Sequence, residues 1–253
     1  MIPSLDPHIE ALTRFAEAHL TGEDDEGIRI KLDHSLRVLD NASAIIGGEA
    51  IEGREAWLCR MAALYHDIGR FPQYATYHTF NDRESVNHGR MGVLTLRRLG
   101  FPEPVSGPDA RIIRFAVAQH NVKTIRPDLR PDIALPLKVV RDADKLDIYR
   151  VMIDNFCGDN PDPLITHGVA NDPARYSETV YDKLMRDQEG DYNLIRYTND
   201  FLLLIVGWVF RLHLPTTRRL VVERGHLPRI FALLPDDAPI RAFRAKVDAF
   251  LGA

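Results

Sequence analysis

Apolar residues along this chain recur at three- and four-residue intervals, and strand-like alternation is nearly absent. The spacing predicts a first helix from about Asp6 to Leu20, an acidic break over Thr21–Gly27, and a second helix from about Ile28 to Ile46 that stops at Gly47-Gly48. Two apolar stripes mark the second helix, Leu32/Leu36/Leu39 and Ile30/Val38/Ile45. A helix apolar on more than one side belongs inside a bundle. His34 interrupts the second stripe, one turn from Ile30 and from Val38. A third helix is predicted over about Arg54 to Asp67, with the tail Ala62-Ala63-Leu64-Tyr65-His66-Asp67 and a stop at Gly69.

Residues 70–83, with Pro72, four aromatics and Asn81-Asp82, read as a loop. A fourth helix follows from about Ser85 to Leu99, with Gly100 in the position that ends it. Pro108 suits the start of a fifth, which carries Ile112, Ile113, Val117 and His120. After a proline-rich turn, Leu135–Met152 forms a sixth. Residues 157–173, with Gly158, Pro161, Pro163 and Pro173, read as a long loop, and about 174–253 holds further helices. The expected fold is all-α. It is one domain over 1–253, with a core at about 28–152 and a C-terminal helical extension.

Length and charge narrow the picture. A chain of 253 residues buries a sizeable core without covalent staples. The net charge of −4 lacks the basic face that duplex nucleic acid requires, yet a local cluster of cations could still take a small anion. The two cysteines, Cys59 and Cys157, make no disulfide framework and read as reduced thiols. The most apolar stretch, Phe201–Phe210, falls well short of the roughly 20 residues that span a bilayer. It reads as a buried helix. No basic segment followed by an apolar one opens the sequence, so a cytoplasmic protein without a membrane partner is expected.

The polar residues that break the apolar pattern carry the chemistry. His34 lies on an apolar face, His66 and Asp67 end a helix rich in small residues, His88 opens a helix, and His120 closes one. Asp142 and Asp144 lie within Val139-Val140-Arg141-Asp142-Ala143-Asp144-Lys145-Leu146. Buried carboxylates are costly unless paired or bound to metal. Aspartate at a helix C-terminus is unfavourable and points to a cation nearby. Imidazoles and carboxylates that project inward from separate helices can hold one divalent ion in common.

The order Asp33-His34-Ser35, then Leu64-Tyr65-His66-Asp67-Ile68-Gly69-Arg70, then Arg141-Asp142-Ala143-Asp144-Lys145-Leu146 resembles the HD-domain superfamily over residues 28–152. The histidines of Asn87-His88-Gly89 and Gln119-His120-Asn121 look like those of its two-metal branches. The resemblance implies an HD-type helical bundle in which His34, His66, Asp67 and Asp144 ligate a first metal. Asp67 then bridges to a second metal held by His88 and His120. It implies a metal-dependent phosphohydrolase that uses metal-activated water on a phosphate ester, phosphodiester or nucleotide. One or two divalent ions are expected. Nitrogen with carboxylate oxygen suits Mn, Fe, Co, Ni or Zn, with Mg also open.

Several assignments stay open at this level. Asp142 and Asp144 cannot share a helix face, and the motif favours Asp144 as ligand, leaving Asp142 as its partner or a surface charge. Arg70 suits either bidentate phosphate contact or a structural carboxylate. Lys145 suits neutralising charge beside Asp144, and Lys123 is a weaker case of the same kind. Asp67, Arg70 and Lys145 are the candidate catalytic residues. His78 and the aromatic residues Phe71, Tyr74 and Tyr77 read as loop and core rather than as ligands or a base-stacking lid. Two other functions share the same ligand set: an HD-type di-iron oxygenase, and a non-catalytic nucleotide sensor.

Overall fold

The computed structural model describes residues 3–23, 25–156 and 169–252. The chain divides between Asp147 and Ile148 into two compact units. The division falls inside a helix, earlier in the chain than the expected start of the extension. The first unit contains α1 (Asp6–Glu17), α2 (Glu26–Gly48), α3 (Gly53–Tyr65), α4 (Arg70–Tyr77), α5 (His88–Leu99), α6 (Gly107–Gln119) and most of α7 (Pro131–Phe156). No β-strand occurs among the described residues, only one isolated bridge between Ala170 and Tyr197.

Local chemistry accounts for the ends of α5 and the start of α6. The Asn87 side chain accepts the Arg90 N–H and caps α5, and Ser106 does the same for Asp109 in α6. Gly100 ends α5 at φ +73°, a conformation that costs glycine nothing. Helix α3 is buried on nearly every side, from Ala56 through Tyr65 apart from Arg60. It packs against α1, α2 and α6, and α5 packs against α4 and α6. Cys59 lies at zero exposure inside α3, where burial pushes its thiol up to about 12. It is a free, inert core residue. Cys157 lies outside the described residues.

The structure corrects one element. Residues 70–77 form a helix, not a loop. Pro72 sits in the first turn, where no intrahelical N–H bond is lost. Phe71 and Tyr74, three apart, bury one face, and α4 packs on α2. Helix α3 stops at Tyr65, and His66–Gly69 forms a tight turn into α4. Gly69 keeps φ −70°, so it redirects the chain without leaving the right-handed region.

In the second unit, the apolar stretch becomes the helix Thr198–Gly207, every residue of which is buried. Further helices accompany it at Glu178–Asp187, Pro215–Glu223, His226–Phe231 and Ala238–Leu251. No described helix is long and apolar enough to cross a membrane. Of the expected loop at 157–173, residues 157–168 lie outside the described residues.

Candidate metal centre

Five segments of the first unit bring imidazoles and carboxylates to one place. Two groups result, His34/His66/Asp144 and Asp67/His88/His120, each with ligand atoms close enough to serve one ion. In the first, His34 Nε2 lies 3.2 Å from Asp144 Oδ1, and His66 Nε2 lies 3.9 Å from the same oxygen. Asp67 joins the groups. Its Oδ2 is 3.7 Å from both His34 Nε2 and His66 Nε2, while its Oδ1 is 3.5 Å from His88 Nε2 and 3.6 Å from His120 Nε2.

The outer edge of each imidazole is already committed. His66 Nδ1 donates to the Ala63 carbonyl at 2.7 Å, and His120 Nδ1 to the Val117 carbonyl at 2.8 Å. A carbonyl only accepts, so the proton lies on Nδ1 in both rings and Nε2 presents a lone pair. His34 Nδ1 meets Asp147 Oδ2 at 2.7 Å, and His88 Nδ1 meets Asp82 Oδ2 at the same distance. The four Nε2 atoms therefore face inward in pairs, His34 to His66 at 3.2 Å and His88 to His120 at 3.0 Å. The inward lone pairs of His66 and His120 call for a cation beside them. The donor set fits a divalent cation in each group, with nitrogen and carboxylate oxygen as ligands and carboxylate or carbonyl partners fixing every ring.

The electrostatics agree with that chemistry. Burial of the Asp67 carboxylate would push its pKa up. Lys31, then His66, His120 and Arg70, reverse this and hold it well below the usual range. Burial likewise opposes ionisation of Asp144 and Asp147, but hydrogen bonds from His34 outweigh it and both stay ionised. Burial depresses His66 to about 4 and, together with Arg70, depresses His88 to about 3. His34 goes the other way. Burial and Lys31 lower its pKa, and the Asp144 and Asp147 carboxylates more than restore it.

These shifts set a pH dependence for the protein stripped of metal by a chelator. His66 and His88 titrate below the ordinary 6.5, so below that pH the unfolded chain takes up protons that the folded chain excludes. Their stabilising contribution is complete above pH 6.5 and is lost as the pH falls towards 4. His34, one group against two, works in the opposite direction. Urea unfolding is expected to show a lower midpoint near pH 5 than near pH 7.

The other sequence candidates fall in distinct places. Arg70 NH1 donates to Gln73 Oε1, the Phe80 carbonyl and Asp82 Oδ1 at 2.8, 2.7 and 3.0 Å, and its Nε lies 3.6 Å from Asp67 Oδ1. Of its two sequence readings, the geometry displays the carboxylate contact. Lys145 is half-buried, its pKa depressed to about 8 by desolvation and by Arg141, and its Nζ donates to the Arg141 carbonyl at 3.2 Å. Asp142 has no exposed surface, which removes the surface-charge reading. His78 closes α4 in a left-handed conformation, φ +52°. Phe71 and Tyr74 are core, Tyr77 is exposed, and Phe80 stacks on Tyr74 with ring centroids 4.8 Å apart.

Four contributors escaped the sequence reading. Asp147 grips His34 and is held in turn by Arg37 through bonds of 2.7 and 3.1 Å. Asp82 grips His88, with Gln73 and Asn121 donating to it. Arg141 binds the carbonyls of Gln119, His120, Val122 and Lys123, clamping the end of α6 that carries His120. Lys31 donates to Asp67 Oδ2 at 2.9 Å. Spacing held a signal for two of them: Lys31 precedes His34 by three and Asp147 follows Asp144 by three, each on the same helix face. Asp82 lies in a loop and had none.

Asp147→Ala should weaken divalent-metal binding at the first group by about 10–100-fold, and Asp82→Ala should do so at the second. Calorimetric titration of the metal-free variants with Mn²⁺ measures both.

Residues 32–149 match the family model described as HD domain. No curated protein and no solved structure matches the chain.

Proposed function

The chain carries an HD domain over residues 32–149, and on that premise we propose that it is a metal-dependent phosphohydrolase acting on a small phosphate ester, phosphodiester or nucleotide. The observation that carries this reading is the Asp67 carboxylate, whose two oxygens each face a different pair of inward-pointing Nε2 atoms. His34, His66, Asp67 and Asp144 would hold one ion, and Asp67, His88 and His120 a second. Mn, Fe, Co, Ni, Zn and Mg are the candidate metals. Divalent cations held there supply a water of lowered pKa and a positive clamp on a phosphoryl oxygen.

The protein's own residues do the rest. Asp67 orients the two groups, and in the metal-free protein the charges of Lys31 and Arg70 keep it ionised. Asp82 and Asp147 hold the His88 and His34 rings so that Nε2 faces the centre. Lys31, Arg70 and Lys145 supply positive charge for an anionic substrate in a protein of net charge −4. With so few cations gathered in one place, the substrate is a small molecule rather than duplex nucleic acid. A cytoplasmic setting fits such a substrate.

A panel of phosphomonoesters, phosphodiesters and nucleotides, assayed with added Mn²⁺ or Co²⁺, tests the proposal. Hydrolysis that a chelator abolishes is the expected result. Metal-loaded protein that binds a nucleotide without turnover would make it a sensor. Bound iron with substrate-dependent O₂ uptake would make it an oxygenase.

A further inference from the structure

Lys31 stands apart from the other cations around the centre. Arg37 is engaged by Asp147, and Arg70 NH1 by Gln73, Phe80 and Asp82. Arg141 is engaged by backbone carbonyls. The carboxylate partner of Lys31 is the bridging residue itself, through Nζ to Asp67 Oδ2 at 2.9 Å. That oxygen is the one facing His34 Nε2 and His66 Nε2, each 3.7 Å away. The ammonium and the first His/Asp group therefore claim the same atom.

The two claims conflict once Asp67 Oδ2 serves a divalent cation. An ammonium within hydrogen-bond distance of that oxygen then faces a doubly charged neighbour in a buried site, where Coulomb repulsion is poorly screened. Lys31 has somewhere to go. Its side chain keeps 17% exposure against 4% for Asp67, so it approaches the carboxylate from the solvent side. Its Nζ lies 5.2 Å from the centre of the Phe80 ring, a face that holds a cation without a counter-charge. A flexible four-carbon stem lets the ammonium leave Oδ2 at small cost.

We propose that Lys31 couples metal loading to anion binding: its ammonium occupies the bridging carboxylate of the metal-free protein and passes to the phosphoryl oxygens of the substrate when metal is bound. The proposal rests on the metal-centre reading above. Two effects of opposite sign follow. Lys31 weakens metal binding in the absence of an anion, and it strengthens anion binding in the presence of metal. By linkage, the anion must then tighten the metal by the same factor as the metal tightens the anion.

Calorimetric titration of the full chain with Mn²⁺, with and without inorganic phosphate, tests this. In the wild-type protein phosphate should tighten Mn²⁺ binding. Lys31→Gln should bind Mn²⁺ about 5- to 50-fold more tightly than wild type without phosphate, and should lose most of the phosphate effect. Lys31→Met should behave as Lys31→Gln does, and Lys31→Arg should keep phosphate binding. Mn²⁺ affinity that is unchanged or weaker in Lys31→Gln and Lys31→Met overturns the proposal, because Lys31 is then only a support for Asp67. So does a wild-type Mn²⁺ affinity that ignores phosphate, a measurement that needs no variant. If the wild-type protein takes up no Mn²⁺, Co²⁺ or Zn²⁺ at all, the metal-centre reading itself falls.

Discussion

Replacing Asp67 by asparagine should strip the centre of metal and reduce hydrolysis by roughly 10³-fold or more, the equivalent of about 4 kcal/mol of transition-state stabilisation. The amide keeps the shape of the carboxylate but not its charge, and it presents one oxygen where two are used. Both groups lose a ligand at once, since Oδ1 faces His88 and His120 while Oδ2 faces His34 and His66. The metal-free fold suffers as well. Lys31 and Arg70 lose a buried counter-charge at 2.9 and 3.6 Å, and breaking such a pair costs about 3 kcal/mol. In a protein of this size that lowers Tm by roughly 6–12 °C. Metal analysis by mass spectrometry and thermal melting read the two effects separately. Asp33→Asn, on the exposed face next to His34, should change neither. Full metal content in Asp67→Asn would remove Asp67 from the centre.

Gly69→Val is the second large effect. A side chain at position 69 would drive its Cβ into the His88 carbonyl and to 2.5 Å from the Gly92 nitrogen. Both are backbone atoms of α5, and backbone cannot turn aside as a side chain can. Even alanine should cost about 1–3 kcal/mol here, and valine more. The displaced element carries His88, so the damage is directional. The Asp67/His88/His120 group should lose its ion before the His34/His66/Asp144 group does. Metal stoichiometry and Tm measured on the same sample show this. Gly47→Ala is the contrast, because a Cβ there meets nothing within 4 Å and the helix gains up to about 1 kcal/mol. Equal, near-zero effects at positions 69 and 47 would mean that α5 does not approach the turn this closely. Gly89, whose Cβ would lie 3.0 Å from the Val117 carbonyl, plays a similar part between α5 and α6.

These two residues show how the centre is built. The His66–Gly69 turn supplies a carboxylate that faces both groups, and two residues further on it supplies the gap that lets α5 bring His88 to it. Arg141 then fixes the far end of α6 so that His120 Nε2 meets His88 Nε2 at 3.0 Å.

Helix positions were legible because burial of one or more faces imposes a period near 3.6, and glycine and proline punctuate it. His34, His66, His88 and His120 stood out for a related reason: each interrupts an apolar pattern or sits at a helix terminus where a bland side chain would be expected. Residues 70–77 were misread because Pro72 and a run of aromatics look the same whether they start a helix or fill a loop. Only the neighbours decide between them: Tyr74 buries against α2 at Gly27, and Phe71 against Phe15 of α1.

What the sequence alone determined, then, was an all-helical chain and the identity of the polar residues that its interior has to accommodate. Both follow from local regularity and from the cost of burying charge. The tertiary structure alone decided which nitrogen of each imidazole turns inward, which oxygen of Asp67 serves which group, and that Lys31, Asp82 and Asp147 stand around them. Those are relations between faces of helices many residues apart. A one-dimensional pattern records that a face exists, but not which other face it meets.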